Sequence, residues 1–341
     1  MASTPVSSSA SQSNLLRHYT PTVTDCSSSA SSIPVVDLSA QKTRVVQALV
    51  KACEDNGFFK VVNHGISQAL IDAMEAEAEK LFALPLSEKE RAGPADPYGY
   101  GNRSIGRNGD VGWIEYLLFR SDFQYVQQRY KAISPDNYIN FCNTASKYIS
   151  ATKKLACDIL ELLAEGLGLP ENIFSSFLTA EGSDSAFRLN HYPPCPDPSN
   201  IIGFGEHTDP QILTVLHSND VGGLQVLSRD GKWVTVSPDP SSFSINIGDC
   251  MQVLTNGRFK SVRHRAVTNT LRSRISMMFF GAPALDATIA TPSQLVDEDR
   301  PAQYMPFLWS QYKKSIYCLK LGQTRGLLQK FQASMVGVGV A

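Results

Sequence analysis

The 341-residue sequence is short of charge of either sign in excess. Thirty-one basic and 32 acidic residues leave a formal net charge of −1, so no basic field draws the whole chain to nucleic acid or anionic lipid. No apolar run approaches the roughly 20 residues that span a bilayer, so no membrane association is expected. Cysteine is sparse and odd in number: seven residues, Cys26, Cys53, Cys142, Cys157, Cys195, Cys250 and Cys318, with no C-x-x-C. That excludes a disulfide framework and a zinc–cysteine site and implies a reducing compartment; the expected location is cytoplasmic, with entry to the nucleus by diffusion. A complete G-x-G-x-x-G is also missing, so no dinucleotide or phosphate cradle is expected. There is no internal repeat.

What is present is ordinary globular composition, 43% hydrophobic and 18% charged. Residues 1–32 hold 11 serines, one arginine and one aspartate; too little arginine for a transit peptide and no apolar stretch for a secretory signal, they read as a disordered tail. Residues 33–180 read as a mixed, largely helical region. It comprises an extended segment from Ile33, a helix around 45–53, a buried strand at 57–63, a helix near 67–84 ended by Pro85, a glycine-rich loop over 98–112 and a long helix over 137–167. From about 181 to 285 the pattern changes to short alternating runs (186–192, 211–217, 223–226, 233–236, 243–247, 251–254, 262–267 and 275–280) broken by Gly, Pro, Asn and Asp. These predict a β-sandwich or jelly roll. Residues 286–341 form a C-terminal extension with a helix over about 307–328. The expected class is α+β with a mainly β core.

Three pairs in the strand region share a spacing of two, which puts both members on one face of a strand. They are His207 with Asp209, Arg274 with Ser276, and Asn190 with Tyr192. His207 and Asp209, joined by His264 from a later strand, provide two imidazoles and a carboxylate. That set leaves three octahedral positions open and suits Fe(II) oxygen chemistry; zinc, which also accepts three protein ligands and water, is disfavoured without being excluded. His64 and His217 fit turn positions, and His18 falls in the tail. Arg274 opens an otherwise apolar run, and an arginine inside a barrel requires an anion because an unpaired buried charge costs several kcal/mol. Its guanidinium fork with the Ser276 hydroxyl suits the distal carboxylate of a metal-chelating oxoacid. Asn190 and Tyr192 add neutral donors.

These residues, in the segments 190–195, 203–209, 224–226, 246–249, 262–265 and 274–276, resemble the plant 2-oxoglutarate-dependent dioxygenases, whose core is a double-stranded β-helix. Within that family the segments 97–102, 108–118, 209–212, 255–261 and 309–313 resemble most the gibberellin 2-beta-dioxygenases acting on C19 gibberellins. The resemblance spans about residues 33–330. It implies iron ligands His207, Asp209 and His264, and a 2-oxoglutarate site of Arg274, Ser276, Tyr192 and Asn190. It also implies an oxidative decarboxylation that consumes O₂, releases succinate and CO₂ and hydroxylates C2 of the hormone, with ascorbate as the assay reductant. His191, where relatives often carry Tyr, is a departure expected to face away from the paired residues. A gibberellin carries a carboxylate, for which Tyr100, Arg103, Tyr312 and Lys313 are the candidate partners, with Ile114, Leu118 and Phe280 as apolar walls. A sister oxygenase acting on another gibberellin position or a flavonoid, an oxygenase independent of 2-oxoglutarate, and a silent jelly-roll binding protein share parts of this pattern.

Overall fold

The structure, a computed structural model, describes residues 33–333 except 106–107, 200 and 324–326. The serine-rich tail, with His18, lies outside the described residues. In chain order the first part comprises β1 (Val35–Asp37), α1 (Lys42–Asp55), β2 (Phe58–Val62), α2 (Gln68–Ala83), α3 (Leu86–Lys89), β3 (Gly99–Ile105), β4 (Asp110–Arg120), α4 (Phe123–Ile133), α5 (Tyr138–Gly166) and α6 (Ser176–Thr179). The second part comprises β5 (Ala186–Tyr192), β6 (Ile202–His207), β7 (Leu213–Ser218), β8 (Leu224–Leu227), β9 (Trp233–Thr235), β10 (Phe243–Ile247), α7 (Asp249–Leu254), β11 (His264–Val267) and β12 (Arg274–Gly281). A small hairpin-like pair, β13 (Thr288–Ile289) and β14 (Phe307–Leu308), precedes α8 (Trp309–Tyr317).

Local chemistry accounts for the helix limits. The Ser67 hydroxyl accepts from the Leu70 amide at the start of α2, and Leu84 is already extended before Pro85. Along α5, Phe141, Ala145, Tyr148, Ile149, Leu155, Ile159 and Leu163 recur at helical spacing and are buried. That face packs against α1, α2 and α4 and against β7 and β12. Each fully buried Phe, Ile or Leu there contributes about 1.5–3 kcal/mol. The helix ends at Gly166, followed by Gly168 at φ +70°.

The strands form two facing sheets. Eight are ordered β1-β2-β10-β7-β12-β5-β4-β3 and four are ordered β6-β11-β8-β9. All pairs in them are antiparallel except β1 with β2. Helices cover the outer face of the large sheet through one apolar core. Two smaller apolar clusters fill the space between the sheets, joining Tyr116, Leu118 and Tyr192 to Phe204 and Ala266, and Leu216 and Met278 to Leu224 and Val226.

Several expectations are corrected here. Residues 98–112, read as loop, contain β3 and the start of β4. Gly101 lies opposite Tyr116, and a Cβ on it would fall 2.4 Å from that ring, so this glycine serves close packing in a strand. Residues 251–254, read as strand, are helical within α7, because a short apolar run carries no decisive period. His217, read as a turn residue, sits buried in β7 with Nε2 2.9 Å from the Pro240 carbonyl oxygen. The strand expected to carry both His207 and Asp209 is β6, which stops at His207; helix α4 was not foreseen, and among the described residues the stretch 307–328 holds the helix Trp309–Tyr317, with a 3-10 turn at Leu328–Phe331. One sheet runs across the 180/181 boundary, since β2 pairs with β10 and β4 with β5. Among the described residues no helix is long and apolar enough to cross a membrane.

Candidate metal and oxoacid centre

His207 is the last residue of β6, and its register partner is His264 at the start of β11. The imidazole centroids are 4.2 Å apart. Asp209 lies two residues beyond the end of β6, so the pleat does not set its direction; hydrogen bonds do. Thr214 Oγ1 donates to Asp209 Oδ2 at 2.6 Å and Asn246 Nδ2 at 3.2 Å. Oδ1 is thereby turned to His207 Nε2 and His264 Nε2, each 3.7 Å away. The Nδ1 atoms face main-chain oxygens two residues back, Gly205 at 2.8 Å and Val262 at 3.2 Å, which leaves both Nε2 lone pairs pointing at the carboxylate. One ligand atom from each of the three residues lies within 4.8 Å of the others. Burial, with the neighbouring His264 second, lowers the His207 pKa to about 3, and a neutral imidazole is the form that binds a metal.

The loop that carries Asp209 is pinned from behind. The Asp249 amide donates to the Asp209 carbonyl at 2.8 Å, and the Gly248 amide to that of Ile212 at 3.0 Å. A Cβ on Gly248 would lie 2.0 Å from the Gln211 carbonyl oxygen, so only glycine allows this approach. Thr208 and Tyr312 both donate to Asp249 Oδ2, at 3.3 and 2.8 Å. Burial pushes the Asp249 carboxyl up to about 6.

Next to the triad, register joins the other two pairs: Arg274 lies opposite Tyr192 and Ser276 opposite Asn190. All four face the interior and are buried. Arg274 Nη1 reaches Ser276 Oγ at 3.3 Å, and its guanidinium sits 5.2 Å from the Tyr192 ring centre. Arg274 Nε and Nη2 are buried and have no partner among the described residues. Burial therefore lowers the pKa of this guanidinium from its ordinary value. A dicarboxylate arriving from the metal side supplies the missing acceptors, so the residues present fit both a divalent metal and an oxoacid. The cavity enclosing them is lined by Asn190, Tyr192, His207, Asp209, His264 and Arg274 among others, so metal ligands and oxoacid donors face one space.

Two models of known families match the chain: the 2OG-Fe(II) oxygenase superfamily over residues 183–283, and the N-terminal region described as non-haem dioxygenase in morphine synthesis over 33–139. Gibberellin 2-beta-dioxygenase 2 of Arabidopsis thaliana is 50% identical over 306 residues, covering 88% of this chain and 89% of that protein. The gibberellin 2-beta-dioxygenase of Phaseolus coccineus is 48% identical over 307 residues, covering 89% and 91%. The chain is a 2OG-Fe(II) oxygenase and belongs with the gibberellin 2-beta-dioxygenases. Among solved structures, JOX2 in complex with 2OG, Fe and JA superposes with a TM-score of 0.79 at 30% identity, covering 89% of this chain and 90% of that one. The dioxygenase for auxin oxidation in rice gives 0.74 at 28%, covering 89% and 100%. The cofactors of this dioxygenase are accordingly Fe(II) and 2-oxoglutarate.

The expected substrate residues divide. Ile114, Leu118 and Phe280 belong to the interior cluster that also holds Tyr192 and Phe204. Tyr100 does not reach this space: it packs in the helix-side core, and its hydroxyl donates to Glu115, which also takes Lys89 Nζ at 2.6 Å. His191 lies on that same outer side, 2.7 Å from Glu115 and stacked on Phe82, away from the paired residues as expected. Arg103 is exposed at positive φ with its guanidinium 4.4 Å from the Trp113 ring centre. Tyr312 is fully buried behind the Asp209 loop. Lys313 is neither at the metal cavity nor on a solvated helix face. It pairs with Asp184 at 2.6 Å, and Tyr98 and Trp309 also donate to that carboxylate. These four were chosen as cations or hydrogen-bond donors on the segment near 100 and the C-terminal helix; none lines the metal cavity, while Tyr100 and Arg103 line a separate pocket with Ile114. Thr214 and Asn246, which hold Asp209, were missed, and so was Arg188, which lines the cavity. Its signal was present in the sequence, since 188, 190 and 192 share a strand face.

Because the Lys313 and Asp184 side chains are only 15% and 6% exposed, Lys313→Met leaves a buried carboxylate with neutral donors alone. The expected loss of stability is about 3 kcal/mol, the lower end for breaking a buried pair, read from urea unfolding; a midpoint unchanged from the parent protein contradicts it.

Proposed function

We propose that this protein hydroxylates C19 gibberellins at C2 on the β face, consuming O₂ and 2-oxoglutarate, releasing succinate and CO₂, and so inactivating the hormone. The observation that carries the reading is the convergence of His207, Asp209 and His264 beside the two unpartnered, buried nitrogens of Arg274. The gibberellin 2-beta-dioxygenases at 42–50% identity supply the substrate class. His207, Asp209 and His264 hold the iron. Arg274 and Ser276 take the distal carboxylate of 2-oxoglutarate, with Tyr192 closing over the guanidinium and Asn190 holding the Tyr192 hydroxyl at 3.1 Å. Iron with 2-oxoglutarate and O₂ supplies the oxidising power for an unactivated C–H bond, which no side chain possesses. The chain contributes position and exclusion of water. Ile114, Leu118 and Phe280 form the apolar wall against which a fused-ring substrate is oriented so that one C–H faces the metal. The catalytic core in this reading is residues 181–285, supported by 33–180 and by the C-terminal extension. The protein acts in the cytoplasm, consistent with the unpaired thiols of all six described cysteines.

The test is incubation of purified protein with Fe(II), ascorbate, 2-oxoglutarate and a panel of C19 gibberellins, followed by mass spectrometry. The expected product gains one oxygen at C2, with one succinate per hydroxylation. Oxidation at another position, or turnover of a flavonoid in preference to every gibberellin, refutes this assignment.

A further inference from the structure

Arg274 is not the only interior arginine with unused donors. Arg188, on β5, shares the inward face with Asn190 and Tyr192 and lines the same cavity as His207 and His264. Its guanidinium carbon lies 3.9 Å from the ring centre of Tyr116 on β4 and 4.9 Å from that of Phe204 on β6. Residues of both sheets thus hold the planar group. Nε donates to Asn190 Oδ1 at 2.7 Å, which fixes rotation about the side chain. Nη2 is buried and has no hydrogen-bond partner among the described residues. Of the buried acids nearby, Asp184 is occupied by Lys313, Tyr98 and Trp309, and Asp209 is held by Thr214 and Asn246 with Oδ1 turned to the two imidazoles.

A guanidinium nitrogen buried without an acceptor is costly unless an anion completes it. The co-substrate does not suffice. Arg274 lies opposite Tyr192 in register, and Tyr192 is four residues from Arg188, roughly 13 Å at the rise of a strand. A five-carbon dicarboxylate anchored at Arg274 and chelating the metal leaves Arg188 Nη2, four residues along the strand, open to a second anion.

We propose that Arg188 is the specificity-determining anchor for the carboxylate of the organic substrate. This rests on the reading of the substrate as a gibberellin acid and adds its orientation. The carboxylate sits at Arg188, between Tyr116 and Phe204, and the apolar rings lie along Leu118, Ile114 and Phe280. Selectivity for acids over esters follows, because an ester offers no charge to the guanidinium and leaves its buried Nη2 without an anionic acceptor.

Arg188→Gln and Arg188→Lys, each compared with the parent enzyme, test it with a C19 gibberellin and its methyl ester as paired substrates. The parent enzyme is expected to favour the acid by about 100-fold or more in kcat/KM. In Arg188→Gln the acid-to-ester ratio is expected to collapse to within about threefold, with the KM for 2-oxoglutarate unchanged; Arg188→Lys is expected to retain an intermediate ratio. The ratio is taken within one preparation, so a smaller folded fraction does not alter it, and a purely structural role lowers acid and ester together. Parallel loss, or an undisturbed ratio, overturns the proposal. Anaerobic calorimetry of the same acid and ester on iron- and 2-oxoglutarate-loaded protein separates the two readings. Acid-selective binding that Arg188→Gln abolishes supports the anchor even where hydroxylation at C2 is absent. Hydroxylation with unchanged selectivity removes the anchor and leaves the function standing. Binding of neither compound to the parent protein overturns both.

Discussion

His264→Ala is expected to reduce coupled turnover at least about a thousandfold, equivalent to about 4 kcal/mol in the transition state, with iron lost from the purified protein. Asp209→Ala is expected to do the same. The geometry explains why neither site tolerates truncation. Asp209 Oδ1 is equidistant from the two Nε2 atoms at 3.7 Å, so each residue supplies one corner of a single face of a metal. Two remaining ligands leave too few bonds to hold a ferrous ion against water. Iron content and succinate release are the paired measurements. Near-parental turnover with stoichiometric iron in His264→Ala removes that imidazole from the centre. Substitution of the supports, Thr214 or Asn246, is expected to act more mildly, since the carboxylate stays and only its aim is loosened.

The second large effect concerns Arg274. Arg274→Ala is expected to raise the KM for 2-oxoglutarate about 100-fold, the size of losing one partner of a buried, hydrogen-bonded charge pair, while iron binding survives. Because Arg274 lies opposite Tyr192 and beside Ser276 rather than among the imidazoles, co-substrate and metal binding separate in this variant. Arg274→Lys is expected to recover only part of the affinity, since an ammonium cannot present two parallel donors to a carboxylate. Unchanged co-substrate kinetics in Arg274→Ala reject the assignment. If iron is lost as well, the guanidinium instead supports the fold around the centre.

Arg274 and Arg188 illustrate how far pattern reading reaches. Arg274 was legible because it opens an apolar run with a hydroxyl two residues on, which makes its environment visible locally. Arg188 stands in an equally apolar stretch, but its neighbours Tyr116 and Phe204 come from β4 and β6, and no local pattern announces them. The residues chosen instead show the converse. Tyr100 and Tyr312 have the right chemistry for a carboxylate, yet strand alternation and helix packing commit their hydroxyls to Glu115 and Asp249.

Alone, the sequence determined the class of fold, the family and the three spaced pairs. Strand alternation and helical period are local properties, and for Arg274 with Ser276 and Asn190 with Tyr192 the partner at i+2 is on the same face wherever the strand ends up. Only the tertiary structure decided which pairs meet. The antiparallel ladder sets Arg274 against Tyr192 and His207 against His264, and hydrogen bonds from Thr214 and Asn246 aim a carboxylate that lies beyond its strand. It also drew residues 99–105 into a strand despite their glycines, since the close approach of the Tyr116 ring makes a missing side chain an advantage. Register, burial and unpaired donors arise from contacts between segments far apart in the chain, and a linear pattern does not carry them.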